Sequence, residues 1–191
     1  MKTIIAAAVL LLLLPACPTA AAQEKGLGLF VSPKGVGATF NLPSGKNPSS
    51  YNSFSVFADI YGMPMGKCYV PGYRAVYNRC NVIKEFSWRG ADCYMYVGPG
   101  FSAGWVRDFE EGLLDPEVKY FHSPGAMAGI GGTFGFNIRC RERLQLNLSW
   151  DVEVGVFYRH DNVMNNMVLS IYRNGLIQLL SPQLTIIYTL R

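Results

Sequence analysis

The sequence predicts an all-β protein: a closed, antiparallel, up-and-down transmembrane β-barrel of eight strands, with ten as the alternative count. Three observations predict it. No stretch after residue 22 carries a sustained helical period, and Pro, Gly and Asn-Ser clusters punctuate the chain throughout. Several segments alternate apolar and polar residues over lengths that ordinary strands do not reach. The polar side of those segments is made of Gly, Ser, Asn and Tyr, whereas a water-facing sheet is usually rich in Lys, Glu and Thr.

The N-terminus carries an export signal. Lys2 gives a basic start, Ile4 to Leu14 is an unbroken apolar run, and Ala20-Ala21-Ala22 precedes Gln23 as a small-residue cleavage site requires. The run is far shorter than the roughly 20 residues that a spanning helix needs. Residues 1–22 are therefore read as a signal peptide, with cleavage between Ala22 and Gln23, and residues 23–191 as one barrel domain. Leu14-Pro15-Ala16-Cys17 is a degenerate lipid-attachment signal, so lipidation at Cys17 is the competing reading of this end.

Strands are expected near residues 35–42, 51–61, 73–88, 91–107, 123–139, 144–159, 166–173 and 182–191. The clearest is 144–159. Leu144, Leu146, Leu148, Trp150, Val152, Val154, Val156 and Tyr158 alternate with Gln145, Asn147, Ser149, Asp151, Glu153, Gly155, Phe157 and Arg159, and Phe157 is the one exception. At about 3.3 Å per residue this segment runs roughly 50 Å. In 93–107, Met95, Val97, Phe101, Ala103 and Trp105 oppose Tyr94, Tyr96, Gly98, Gly100, Ser102 and Gly104. The segments around 54–60, 126–139 and 184–190 repeat the pattern. The apolar faces are expected to meet lipid and the small polar faces to line a narrow lumen, where Asp59, Asp151, Glu153, Arg139 and Arg159 can pair. Trp88 and Trp105 lie near strand ends, as an interfacial girdle requires; Trp150 lies mid-strand.

One feature conflicts with this count. With eight strands starting at residue 35 and both ends in the periplasm, the long connection 108–122 falls on the periplasmic side and the short turn Cys140–Arg143 outside, the reverse of the usual asymmetry. A missed strand at Leu27–Val31, or a ten-stranded barrel, is the alternative this conflict raises.

Motifs that carry chemistry are few. Gly100-Phe101-Ser102-Ala103-Gly104 matches the nucleophile-elbow pattern, but it lies inside an alternating strand with no helix after it, so its glycines read as lumen positions. His122-Ser123, with Asp108, Glu110 or Glu111 as acidic orienter, is the candidate for general-base chemistry in a lipid-modifying barrel enzyme. His160-Asp161 reads as a turn. No cofactor or metal site is expected, because the cysteines form no CxxC pair and have no His-rich neighbour. Cys93 and Cys140 fall at one rim on neighbouring strands with outward parity, and Cys68 faces Cys80 across a Pro71-Gly72 turn. These are the candidate disulfides; four reduced thiols filling small apolar sites is the other reading.

The chain resembles the small outer-membrane β-barrel proteins of Gram-negative gut bacteria in Tyr96–Asp108 (YVGPGFSAGWVRD), Gly125–Arg143 (GAMAGIGGTFGFNIRCRER) and Tyr172–Tyr188 (YRNGLIQLLSPQLTIIY). It departs from them at its end, which reads Tyr188-Thr189-Leu190-Arg191 where such barrels finish on an aromatic residue. The resemblance implies the outer membrane as location, with outer-membrane lipid and the barrel-assembly machinery as partners. The net charge of +4 is spread along the chain without a basic tract, which argues against nucleic acid. The expected function is non-enzymatic: a structural, adhesion or partner-docking role, and not a general porin, since an eight-stranded barrel is just wide enough for its own side chains. A lipid-modifying enzyme using His122 and Ser123, and a soluble or lipid-anchored periplasmic barrel that binds a small apolar ligand, are the alternatives.

Overall fold

A computed structural model of the chain describes residues 25–33, 35–45, 49–60, 72–106, 125–161, 165–174 and 182–190. They form β1 (Lys25–Ser32), β2 (Gly35–Pro43), β3 (Ser50–Asp59), β4 (Gly72–Trp88), β5 (Ala91–Val106), β6 (Gly125–Arg141), β7 (Leu144–Asp161), β8 (Asn166–Asn174) and β9 (Gln183–Leu190). Sequential neighbours from β1 to β8 pair antiparallel, except that β9 follows β8 without pairing to it. Instead β9 pairs with both β7 and β1 and so closes the ring.

β8 and β9 occupy one position in the wall. β8 lies against Glu153–Asp161 of β7 and β9 against Leu144–Ser149, so the two are collinear halves of a single interrupted strand. The barrel therefore has eight wall positions, as predicted, but built differently. β1 is a strand beyond the eight expected segments, and two of those segments share the last wall position. Adding β1 removes the loop conflict. Lys25 and Leu190 share one rim with the Arg89-Gly90 and Glu142-Arg143 turns, and Val106 and Gly125, which flank residues 107–124, stand at the other. The β4–β5 turn uses positive φ at both central residues, Arg89 (53°) and Gly90 (82°), the type I′ geometry that matches strand twist.

Register fixes the slant of the wall. Hydrogen-bonded partners lead from Val154 through Ile130, Phe101, Tyr77, Phe54, Phe40, Leu27 and Tyr188 back to β7 at Leu144, ten residues below the starting point. A stagger of this size tilts eight strands by about 40° from the barrel axis. The short strands β1 to β3, of 8 to 10 residues, match the roughly 9–11 residues that cross a bilayer at such a tilt. The long ones overhang: β3 ends its pairing at Ser50 opposite Asn81, and β4 continues to Trp88.

The two faces have the predicted polarity. Outward stand Leu29, Val56, Phe101, Trp105, Ile130, Val154 and Ile186, all exposed, with Leu29 71% and Ile130 69% accessible. Inward and buried are Thr39, Asn78, Ser102, Thr133, Asn137, Gln145, Asn147, Ser149, Thr185 and Thr189. Trp88 and Trp105 are exposed near strand ends, and Trp150 stacks outside on Phe134 with centroids 5.2 Å apart. Inside, two glycines make room for the aromatic ring directly opposite: Gly37 faces Phe30 and Gly135 faces Tyr96, and a Cβ at either would run into that ring. Gly135→Val is expected to lower stability by about 1–3 kcal/mol through forced displacement of Tyr96, read as a lower denaturant midpoint in refolded protein.

Candidate functional site

Toward the rim of Val106 and Gly125, the lumen is closed by charge and by bulk. Parity turns Arg74 of β4 and Glu153 of β7 inward from opposite walls, and Arg74 Nη1 donates to Glu153 Oε2 at 2.6 Å. Both side chains are buried, at 5% and 4% exposure. The Arg74 guanidinium also lies 5.1 Å from the centroid of Phe57, which gives the cation an aromatic face. Next to the pair, Val106, Met127 and the fully buried Phe157 form an apolar layer, with the Arg159 guanidinium 5.9 Å from the Phe157 ring.

At the level of the short turns the plug is aromatic. Tyr51, Tyr94, Tyr96 and Cys80 form one buried cluster, with Tyr51 edge-on to Tyr96 at 5.7 Å. The hydroxyls of Tyr96 and Tyr94 on β5 are tied to β7, across the lumen side of β6: Tyr96 donates to Asn147 Oδ1 at 3.0 Å and Tyr94 to Gln145 Oε1 at 3.4 Å, while Gln145 Nε2 donates to Thr189 Oγ1 at 3.0 Å. The amides come from β7, whose alternation places Gln145, Asn147 and Ser149 on the lumen side. Just outside this rim, Arg143 donates to the Tyr188 hydroxyl at 3.1 Å, which holds its guanidinium above its ordinary range.

Between the plugs lies a polar cavity of about 30 Å³, lined by Thr39, Asn41, Ser53, Asn78, Asn147 and Asp151 among others. Space of that size suits about two waters and no organic solute. Asn41 Oδ1, buried with no partner among the described residues, is an acceptor such a water can satisfy. Gln183 Nε2 binds Asp151 at 2.7 Å and holds that carboxylate at the cavity wall. The arrangement is a filled, hydrogen-bonded interior and not an apolar ligand chamber.

The predicted lumen charges Asp59, Asp151, Glu153, Arg139 and Arg159 all keep inward parity; a further inward charge, which alternation did not single out, is Arg74. Its signal was parity alone, shared with Val76 and Asn78. Ser102 of the elbow-like motif sits mid-strand, 3% exposed, its hydroxyl 4.0 Å from Met127 Sδ, and Gly98, Gly100 and Gly104 share its inward parity. His160 and Asp161 continue β7 and do not form a turn, since they pair with Met167 and Asn166. His122, Ser123, Asp108, Glu110, Glu111, Cys17, Cys68 and the expected cleavage site Ala22-Gln23 lie outside the described residues. Among the described residues no group of three or more His, Cys, Asp or Glu could hold a metal ion.

The cysteine pairing differs from expectation. Cys93 and Cys140 do lie on neighbouring strands at one rim, but both are free thiols, as is Cys80. A register shift between Arg139 and Arg141 takes Cys140 out of step, and Cys93 sits opposite Ile138. Cys93 keeps the outward parity of Ile138 but is buried, 3.6 Å from Ala91 O, while Cys140 is exposed near Ile138 O at 3.9 Å. Cys80 stands in the tyrosine cluster, away from any surface turn. A thiol-reactive maleimide is expected to label Cys140 in the folded barrel and to reach Cys80 only after unfolding; mass spectrometry of the labelled peptides decides it.

No protein-family model matches this chain, and no curated protein matches it. Among solved structures it is similar to a major outer membrane protein from Thermus thermophilus, at 13% identity and a TM-score of 0.42, over 87% of this chain and 98% of that one. At that degree of likeness no function is carried over.

Proposed function

We propose that this chain is a non-enzymatic barrel of the outer membrane that anchors its long connections at the cell surface for a structural, adhesive or partner-docking role, and that it is not a general porin. The observation that carries the reading is the inversion of its faces. Large apolar side chains such as Leu29 and Ile130 stand outward while a buried Arg74–Glu153 pair and a ring of amides fill the lumen. In water such a surface would be an aggregation liability, whereas in a bilayer it is the expected arrangement. A continuous apolar patch of this extent is also what a soluble, ligand-carrying barrel avoids.

The filled lumen supports the non-porin part, since a channel for solutes would need a continuous water-filled path. Envelope fractionation followed by gel migration with and without boiling tests the membrane part. Retention with the outer membrane and a mobility change on boiling are expected; release into aqueous buffer overturns the reading. Liposomes containing the refolded protein are expected to remain impermeable to small sugars.

A further inference from the structure

We infer that the outer wall carries a binding site for one anionic phospholipid, its phosphate held by Arg79, Asn52 and Asn81 and one acyl chain lying in the furrow above them. The inference rests on the membrane reading and deepens it. Arg79 of β4 points outward and is exposed, and it has neither a hydrogen-bond nor an ion-pair partner among the described residues. Asn52 is its direct neighbour across β3, and Asn81 follows two residues later on the same face. The oxygens of both amides are already occupied: the Tyr77 hydroxyl donates to Asn52 Oδ1 at 2.9 Å and the Ser50 hydroxyl to Asn81 Oδ1 at 2.7 Å. What this row still offers is a guanidinium and two NH2 groups, donors without an acceptor among the described residues. That is the chemistry that recognises an anion.

The row sits one or two residues from the β3 end of its ladder, near the short-turn rim, where a leaflet's phosphates would lie. An unpaired cation at a membrane surface points to lipid recognition. Directly above it the wall is furrowed. Leu27, Phe40, Phe54, Tyr77 and Phe101 form one row, and the next, linked in register, has Ala38, Ala75 and Ala103. The resulting outward groove measures about 440 Å³. With its hydroxyl engaged by Asn52, Tyr77 presents only its ring, so the furrow gives nothing for a peptide backbone to bond with. A hydrocarbon chain fits it without loss, and the charge below selects a phosphate at the head of that chain.

Native mass spectrometry of the refolded barrel titrated with phosphatidylglycerol tests the site, with Arg79→Gln and Ala103→Phe as variants. Wild type is expected to retain one lipid, and each variant to bind about tenfold more weakly. Inorganic phosphate at the same concentration is expected not to compete. Equal retention by wild type and Arg79→Gln overturns the phosphate site, and unchanged binding by Ala103→Phe overturns the furrow as the seat of the chain. Competition by inorganic phosphate overturns the lipid as ligand. All three proteins should remain heat-modifiable on gels. A folded, membrane-inserted barrel indifferent to the lipid overturns only this site, whereas a wild-type protein that does not enter membranes overturns the proposed function itself.

Discussion

Arginine in place of Val56 is expected to lower the folding stability of the barrel in phospholipid vesicles by about 2–4 kcal/mol. Val56 is 60% exposed on β3, in the row of outward side chains that runs from Leu29 through Ala38 to Ala75 and Ala103. If water covered that row, the same substitution would be nearly neutral, because exposed positions away from special features usually change stability by less than about 0.5 kcal/mol. The experiment thus reads the solvent of the outer face directly. Trp88→Arg supplies the depth control: Trp88 is also exposed, but it ends β4 at the overhanging rim, where an arginine costs only about 0–1 kcal/mol. A denaturant titration of both variants in vesicles is the measurement. Equal effects at the two positions, or none at Val56, would show that the outer face is not set by a bilayer.

What the sequence revealed and what it hid follow from the range of the interactions involved. Alternation is local, so the ends of β4, β5 and β7 fell within two residues of their predicted bounds. β1 was harder to see because its inward positions include Gly26 and Gly28, which weaken the polar half of the pattern in Lys25–Ser32. The collinearity of β8 and β9 is a matter of register: both lie along β7, and nothing within either segment says that they share one wall position. Phe157 broke the alternation and read as an exception; it proves the most buried side chain of its layer, because the lumen needs bulk there as well as polarity. The Arg74–Glu153 pair joins residues 79 apart in sequence across the barrel, and only the stagger of the closed wall brings them to one level. The donor row at Arg79 was hidden for the same reason, since Asn52 becomes its neighbour only when β3 and β4 are in register.

That pair leads to the second large expectation. Arg74→Met and Glu153→Gln should each destabilise the barrel by about 3–5 kcal/mol, because each leaves the other charge buried without this partner. Both side chains are almost fully enclosed, so solvent screening does little to soften the loss. The double variant Arg74→Met, Glu153→Gln should be far more stable than the sum of the single losses predicts, since the cost of a buried pair lies mainly in breaking it and not in replacing it. Arg74→Met does give up the contact with Phe57, so full recovery is not expected. Unfolding of the four proteins in vesicles completes the cycle. Additive single effects would mean that Arg74 and Glu153 act independently, and the lumen would then owe its closure to the apolar layer of Val106, Met127 and Phe157 and to the tyrosines at the other end.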